Sequence, residues 1–356
     1  MSVLALPKAY SVNQTAVYPV PFALGTYADG LKAAKPLDLR APVAEQVAEQ
    51  VDPRQFEAAR VADGARANDK SAGEDARRLF ALEQLEVSWE GETGTLWTFM
   101  RPRGRPSYNP DFLEDFHAWQ RGILAAYGDR PGDLRYLVLG SRTPGVFNLG
   151  GDLNLFAAKI RERNRQALVD YGKSCVRILH RNMNGLGLPM VTIGLAQGDA
   201  LGGGFESLLS FNIIIAERGA KFGFPETLFG LFPGMGAYSL VARRSGAAFA
   251  EEMMLSGRTY TAEEMKDAGL IHVVTEPGHG IEEVRDFIQR NRRRHTGMRA
   301  IFEAGRAVNP VSLAELDHIV EIWADACLQL SDRDLKVMQR LVSAQNRLTP
   351  SLQAAE

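Results

Sequence analysis

Short, wholly apolar segments alternate with amphipathic helical patterns from about residue 85 onward, and this alternation constrains the fold more than any other feature. Residues 136–139 (YLVL), 190–195 (MVTIGL) and 211–216 (FNIIIA) are predicted to be buried strands. Helical patterns cover residues 112–127 and about 153–186, the second with an expected break near Gly172. Strands that alternate with helices predict an α/β fold with parallel strands and right-handed crossovers.

Differences in composition and periodicity divide the chain into three parts. Residues 1–80 show no sustained periodicity up to Pro53, and we expect a mobile N-terminal extension with one helix near Glu57–Ala67; a docking arm is the alternative. Residues 81–280 begin with a predicted β-hairpin over 86–90 and 95–100 and continue with the α/β pattern. Residues 281–356 are predicted to be a C-terminal helical region, because helix follows helix from Ile281 to Gln345.

Composition excludes several classes of function. The 41 Lys and Arg nearly balance the 43 Asp and Glu, so no basic field favours nucleic acid. No stretch approaches the roughly 18 apolar residues of a membrane span, and the start does not resemble a secretory signal, so we expect a cytoplasmic protein. Cys175, Cys327 and six scattered histidines show no metal-ligand spacing, and the glycines form no dinucleotide fingerprint. We therefore expect neither a metal nor a cofactor.

Two glycine loops and two glutamates are the candidates for chemistry. Gly150-Gly151 and the cluster 202–204 each follow an apolar strand and precede a helix, so each could offer one backbone N–H to a single carbonyl oxygen. Glu206 and Glu226 stand among apolar neighbours, which raise a carboxyl pKa and suit an acid/base pair. Alone, Glu206 would be a structural first-turn residue and Glu226 a loop residue; together they favour catalysis.

These segments, in this order, resemble the crotonase (enoyl-CoA hydratase/isomerase) superfamily. The resemblance is carried by residues 147–153 (FNLGGDL), 198–206 (GDALGGGFE), 222–226 (FGFPE), 231–236 (LFPGMG), 255–258 (LSGR) and 262–270 (AEEMKDAGL). The narrower similarity is to the bacterial diffusible signal factor synthases, which make cis-2-unsaturated fatty-acid signals. It is carried by residues 147–153, 222–226, 319–326 (IVEIWADA) and 330–335 (LSDRDL). The segment before Leu85 is not part of that pattern.

The resemblance implies a fold, a reaction and an assembly. The fold is a ββα spiral core with a C-terminal helical region, usually assembled as trimers or dimers of trimers, so we expect a homo-oligomer. Gly151 and Gly203 would donate the oxyanion-hole N–H pair, and Glu206 and Glu226 would be the catalytic carboxylates. The substrate would be a 3-hydroxyacyl thioester of acyl carrier protein or CoA, dehydrated and then hydrolysed to the free acid. We expect Glu226 to remove the α-proton and Glu206 to protonate the leaving hydroxyl, although the sequence leaves this assignment open.

An acyl chain of medium length requires an apolar pocket. Our candidates for its wall are Leu201, Met235 and Trp323, of which Trp323 fits an ordinary core aromatic equally well. Two other functions stay open: an enoyl-CoA hydratase of fatty-acid oxidation, and an interaction protein. The resemblance implies a partner for the latter, the receiver domain of a sensor kinase.

Overall fold

The structure is a computed structural model that describes residues 80–347 of the chain. The extension expected over residues 1–80, with its helix near Glu57–Ala67, lies outside the described residues except for Phe80. Within the described range the strands are β1 (Leu85–Glu90), β2 (Thr95–Met100), β3 (Tyr136–Ser141), β4 (Val146–Asn148), β5 (Val191–Ala196), β6 (Asp199–Leu201), β7 (Ile213–Glu217), β8 (Lys221–Gly223), β9 (Thr259–Thr261) and β10 (Val273–Thr275).

Helices separate most of these strands, and only helices follow β10 within the described range. They are α1 (Pro110–Tyr127), α2 (Leu153–Arg161), α3 (Arg165–Met183), α4 (Gly203–Leu209), α5 (Ala237–Ser245), α6 (Ala247–Ser256), α7 (Ala262–Asp267), α8 (Gly280–Asn291), α9 (His295–Val308), α10 (Leu313–Cys327) and α11 (Asp332–Arg347). Short 3-10 helices occupy Gly185–Gly187, Pro225–Phe229 and Arg292–Arg294. The mixed α/β core and the C-terminal helical region are those of the predicted fold class.

The strands form two sheets. The larger has the order β1-β2-β3-β5-β7-β10, and its first pair is the predicted antiparallel hairpin, with Leu85 opposite Met100. The remaining pairs of that sheet are parallel. The smaller sheet has the order β4-β6-β8-β9, in which β4, β6 and β8 run parallel. The predicted strands at 136–139, 190–195 and 211–216 correspond to β3, β5 and β7, at the centre of the larger sheet.

The expected helix break near Gly172 is wrong. The chain breaks instead between α2 and α3, at residues 162–164, and Gly172 lies inside α3. A Cβ on Gly172 would lie 2.5 Å from Cγ1 of Val320 on α10. Glycine is present at this position because the two helices approach too closely for a side chain, and not because the helix ends.

The C-terminal helices α10 and α11 pack on α2, α3 and the 3-10 helix Pro225–Phe229. Helix α10 packs along α3 through Val320, and α11 follows the turn at Leu330, whose Cδ2 lies 3.3 Å from the Cβ position of Gly230. None of the helices within residues 80–347 is long and apolar enough to cross a membrane.

Candidate active site

Three neighbouring parallel strands bring the predicted residues to one edge of the small sheet. Strand β4 is followed by Gly151, β6 by Gly203 and Glu206, and β8 by Glu226. Because β4, β6 and β8 are adjacent and parallel, their carboxyl ends meet at the same edge, where ligands bind in many α/β proteins. The order of the strands thus brings together residues that are up to 75 positions apart in sequence.

The two glycine loops touch each other through their backbones. The position of a Cβ on Gly203 is 3.3 Å from Cα of Gly150 and 3.5 Å from N of Gly151. Gly203 is the first residue of α4, so its N–H has no partner within the helix. Among residues 80–347, neither the Gly151 nor the Gly203 N–H donates a hydrogen bond. Two free amides therefore stand side by side at the sheet edge.

Glu206 is buried in the first turn of α4, with an exposed fraction of 1%. Its Oε1 accepts hydrogen bonds from the backbone N–H of Met235 at 2.8 Å and of Ala237 at 2.9 Å. Burial raises the pKa of Glu206 to about 7, while the two N–H donors act in the opposite direction by favouring the ionised form. These bonds fix Oε1 and leave Oε2 for the cavity.

Glu226 lies in the short 3-10 helix Pro225–Phe229, where the sequence predicted a loop. A Cβ on Gly202 would overlap its Oε1, so the carboxyl group lies directly against the glycine backbone. Its Oε2 is buried and has no hydrogen-bond partner. Burial, and secondarily the negative charge of Glu206, raise the pKa of Glu226 to about 8.

The two carboxyl groups therefore differ in how tightly they hold a proton. Glu206 has two N–H donors that stabilise its negative charge, whereas Oε2 of Glu226 has none and faces a neighbouring charge. When the pair shares a single proton, the proton resides on Glu226. The site thus offers one base, Glu206, and one acid, Glu226.

A largely apolar cavity of about 180 Å³ contains all of the predicted site residues. It is lined by Gly151, Gly203, Glu206, Glu226, Leu201, Met235 and Trp323. Trp323 lies over Gly234 and meets the ring of Phe156 edge to face at 5.0 Å. Helix α11 contributes Leu341 and Gln345 to the wall. The cavity thus combines a polar end with an apolar wall built partly from the C-terminal helices.

Sequence reasoning missed most of the remaining residues of this cavity, among them Gly202, Phe156, Tyr171 and Leu341. Gly202 has a φ of +52° and makes room for Glu226, and Phe156 lies beneath Gly151, where a Cβ would be 2.5 Å from its Cζ. Tyr171 and Leu341 also line the wall. The glycine triplet could have pointed to Gly202, since a run of glycines often marks a positive φ. Nothing local in the sequence distinguishes Phe156, Tyr171 or Leu341 from core residues.

No group of three potential metal ligands occurs within the described range, and both cysteines there are free and buried. Burial raises the pKa of each thiol well above its usual value. The thiols are therefore protonated and unsuited to nucleophilic chemistry.

Comparison with known proteins points to one family. The family model for enoyl-CoA hydratase/isomerase matches residues 123–307. The probable mitochondrial enoyl-CoA hydratase 2 of Arabidopsis thaliana is 30% identical over 248 residues, which are 70% of this chain and 74% of that protein. Among solved structures, an enoyl-CoA hydratase from Bacillus halodurans is 20% identical with a TM-score of 0.60, over 73% of this chain and 100% of that one. Pseudomonas aeruginosa DspI is 24% identical with a TM-score of 0.53, over 65% and 90%. The two structural similarities establish the fold.

Proposed function

We propose that this chain, which belongs to the enoyl-CoA hydratase/isomerase family, interconverts 2-enoyl and 3-hydroxyacyl thioesters. One observation carries the proposal: two free backbone amides and two buried carboxyl groups line a single cavity. The amides of Gly151 and Gly203 bind the thioester oxygen, and Glu206 and Glu226 move the protons.

Hydration starts from the favoured protonation state, in which Glu206 is ionised and Glu226 is protonated. Ionised Glu206 takes a proton from water as the water oxygen bonds to C3, and protonated Glu226 delivers its proton to C2. The intermediate is an enolate, whose oxygen carries the negative charge and accepts hydrogen bonds from the two amides. Each of these bonds lowers the barrier by about 3 kcal/mol. The thioester leaves as a 3-hydroxyacyl product, and solvent returns the glutamates to their starting state.

In the dehydration direction the roles reverse. Glu226 must then be ionised to remove the α-proton, and Glu206 must be protonated to release the 3-hydroxyl as water. This arrangement, the one expected from the sequence, has the single proton on the carboxyl group that holds it less tightly. The two N–H donors to Glu206 favour its ionised form, so this is the less favoured of the two singly protonated states.

A finer proposal is that the chain also hydrolyses the thioester and releases a cis-2-unsaturated fatty acid, as the resemblance to diffusible signal factor synthases implies. The segments that carry this resemblance adjoin the site. Phe222 and Phe224 pack on Phe205 of α4, with ring centroids 5.3 and 5.4 Å away. Leu330 and Asp334 adjoin Gly230, just after the 3-10 helix of Glu226. The same amide pair would stabilise the oxyanion when water attacks the carbonyl.

Mass spectrometry of the products tests both levels of the proposal. The purified chain is incubated with 3-hydroxyacyl and 2-enoyl thioesters of CoA and of acyl carrier protein. Interconversion of the thioesters supports the hydratase, and free cis-2-enoic acid in addition supports the signal synthase. Thioester interconversion without free acid rules out the finer proposal, and no turnover of any substrate rules out both.

Three further expectations extend the proposal beyond the site. They are a homo-oligomer, a cytoplasmic location and binding to a sensor-kinase receiver domain. Sedimentation of the purified chain, fractionation of cells and a pull-down with and without residues 1–80 would test them in turn.

A further inference from the structure

Tyr108, which the reaction above does not use, contacts both elements that carry the amide pair. It is buried, with an exposed fraction of 4%, in the segment between β2 and α1. Its backbone N–H donates to the carbonyl of Gly150 at 2.8 Å. Its hydroxyl lies 2.6 Å from Oγ of Ser207 on α4. One residue thus reaches the loop of Gly151 with its backbone and the helix of Gly203 with its side chain.

Counting protons gives the direction of each bond on the α4 side. Ser207 has one hydroxyl proton, which it donates to the carbonyl of Gly204 at 2.9 Å. Tyr108 must therefore donate its own proton to Ser207, and burial raises the pKa of Tyr108 so that this proton stays bound. The chain of bonds runs from Tyr108 through Ser207 to the first turn of α4, where the Gly203 amide lies.

Tyr171 fixes the other side. Its hydroxyl donates to the carbonyl of Tyr108 at 2.5 Å and accepts from the N–H of Asp152 at 3.3 Å. Asp152 directly follows Gly151 and forms an ion pair at 2.8 Å with Arg105, in the same segment as Tyr108. The backbone on both sides of Gly151 is thus tied to the Tyr108 segment.

We infer that Tyr108 is a positioning residue that sets the spacing between the Gly151 and Gly203 amides by bridging the two loops that carry them. It does not line the reaction cavity, so it acts through those loops and not on the substrate. This inference rests on the proposed function for its catalytic consequence. Gly150 and Gly203 approach each other through their backbones, and Gly204 lies against Asn148 next to the paired strands β4 and β6. The Tyr108 hydroxyl adds a side-chain link to these backbone contacts.

The test compares Tyr108→Phe with Tyr136→Phe. The Tyr136 hydroxyl is also buried but has no hydrogen-bond partner, so its loss removes an equivalent atom without breaking a bond. Hydrogen exchange followed by mass spectrometry reports on the amides of Tyr108, Phe205 and Glu206, which donate to the carbonyls of Gly150 and Gly202. We expect Tyr108→Phe to speed their exchange about tenfold and Tyr136→Phe to leave it unchanged.

Turnover provides the second readout. With saturating 2-enoyl-CoA, Tyr108→Phe should lower kcat about tenfold and change KM less than about twofold, because the amides act mainly on the enolate. Ser207→Ala breaks the same chain of bonds one step later and should lower kcat similarly. Unchanged exchange in Tyr108→Phe would overturn the inference, as would faster exchange with full kcat. If the wild type turns over no thioester, the proposed function fails, while exchange alone still decides whether Tyr108 holds the loops.

Discussion

The carboxyl group of Glu226 occupies the space that a side chain on Gly202 would fill. Gly202 also has a φ of +52°, which L-residues with a side chain rarely adopt. Gly202→Ala should therefore lower the free energy of unfolding by about 1–3 kcal/mol and kcat by at least about tenfold, because the new Cβ displaces the carboxyl group. Chemical denaturation and steady-state kinetics on 2-enoyl-CoA measure the two effects.

Gly219→Ala is the matched control for this substitution. Gly219 has a φ of +99°, but nothing lies within 4 Å of its Cβ position. The control should lose stability through backbone strain and keep its activity. Equal kcat for Gly202→Ala and the wild type would show that contact with Gly202 does not place Glu226.

Activity should follow a bell-shaped pH profile. The working enzyme carries one proton on the glutamate pair, so kcat/KM rises as Glu206 ionises near pH 7 and falls as Glu226 loses its proton near pH 8. Glu206→Gln should retain a residual activity whose kcat/KM no longer rises on the acidic side of the profile. A flat wild-type profile between about pH 5.5 and 9 would contradict these proton assignments.

Stability should fall as the pH rises through the same range. Both glutamates have folded-state pKa values above the ordinary 4.5, so the folded chain binds more protons than the unfolded chain between pH 4.5 and 8. The stabilisation is complete below pH 4.5 and is lost as the pH rises through the folded pKa values, on the order of several kcal/mol for the two glutamates together. Urea denaturation at several pH values should show a smaller decline for Glu226→Gln. An equal decline in both proteins would contradict the buried environment of Glu226.

The indole of Trp323 should limit the length of the acyl chain. Trp323 lines the cavity between Gly234 and Phe156, so Trp323→Phe opens space along the apolar wall. We expect the ratio of kcat/KM for an acyl chain about two carbons longer to kcat/KM for the shorter chain to be about tenfold higher in Trp323→Phe than in the wild type. Trp89→Phe is the control, because Trp89 is 44% exposed on β1 and remote from the cavity lining. An unchanged ratio in Trp323→Phe would mean that this side chain only packs the core.

Local pattern predicts most of the larger sheet, whereas the three-residue strands β6, β8 and β9 of the smaller sheet were not predicted. The hairpin and the central strands of the larger sheet follow from alternation and from short apolar runs, which burial on one or both faces imposes. The break expected at Gly172 was wrong because glycine in a helix has two causes, an end or a close neighbour. Only the position of Val320, nearly 150 residues later, decides between them.

The candidate site was predictable in its members but not in its arrangement. The glycine loops and the glutamates stood out through their residue types. Their convergence depends on β4, β6 and β8 being neighbours, which is a long-range pairing that no local pattern encodes. The cavity wall from α11 depends on packing between distant segments in the same way, so Leu341 had no signal in the sequence.

Isotope incorporation tests the central claim most directly. Wild-type chain is incubated with a 2-enoyl-CoA in D₂O enriched in ¹⁸O, beside Glu206→Gln, Glu226→Gln and Glu252→Gln, the last an exposed control. We predict a 3-hydroxyacyl product with deuterium at C2 and ¹⁸O at C3 from the wild type and the control. Each of the other two variants should lower the rate by about a hundredfold or more. The same labelled product at the wild-type rate from both variants would show that these glutamates are not the acid and the base.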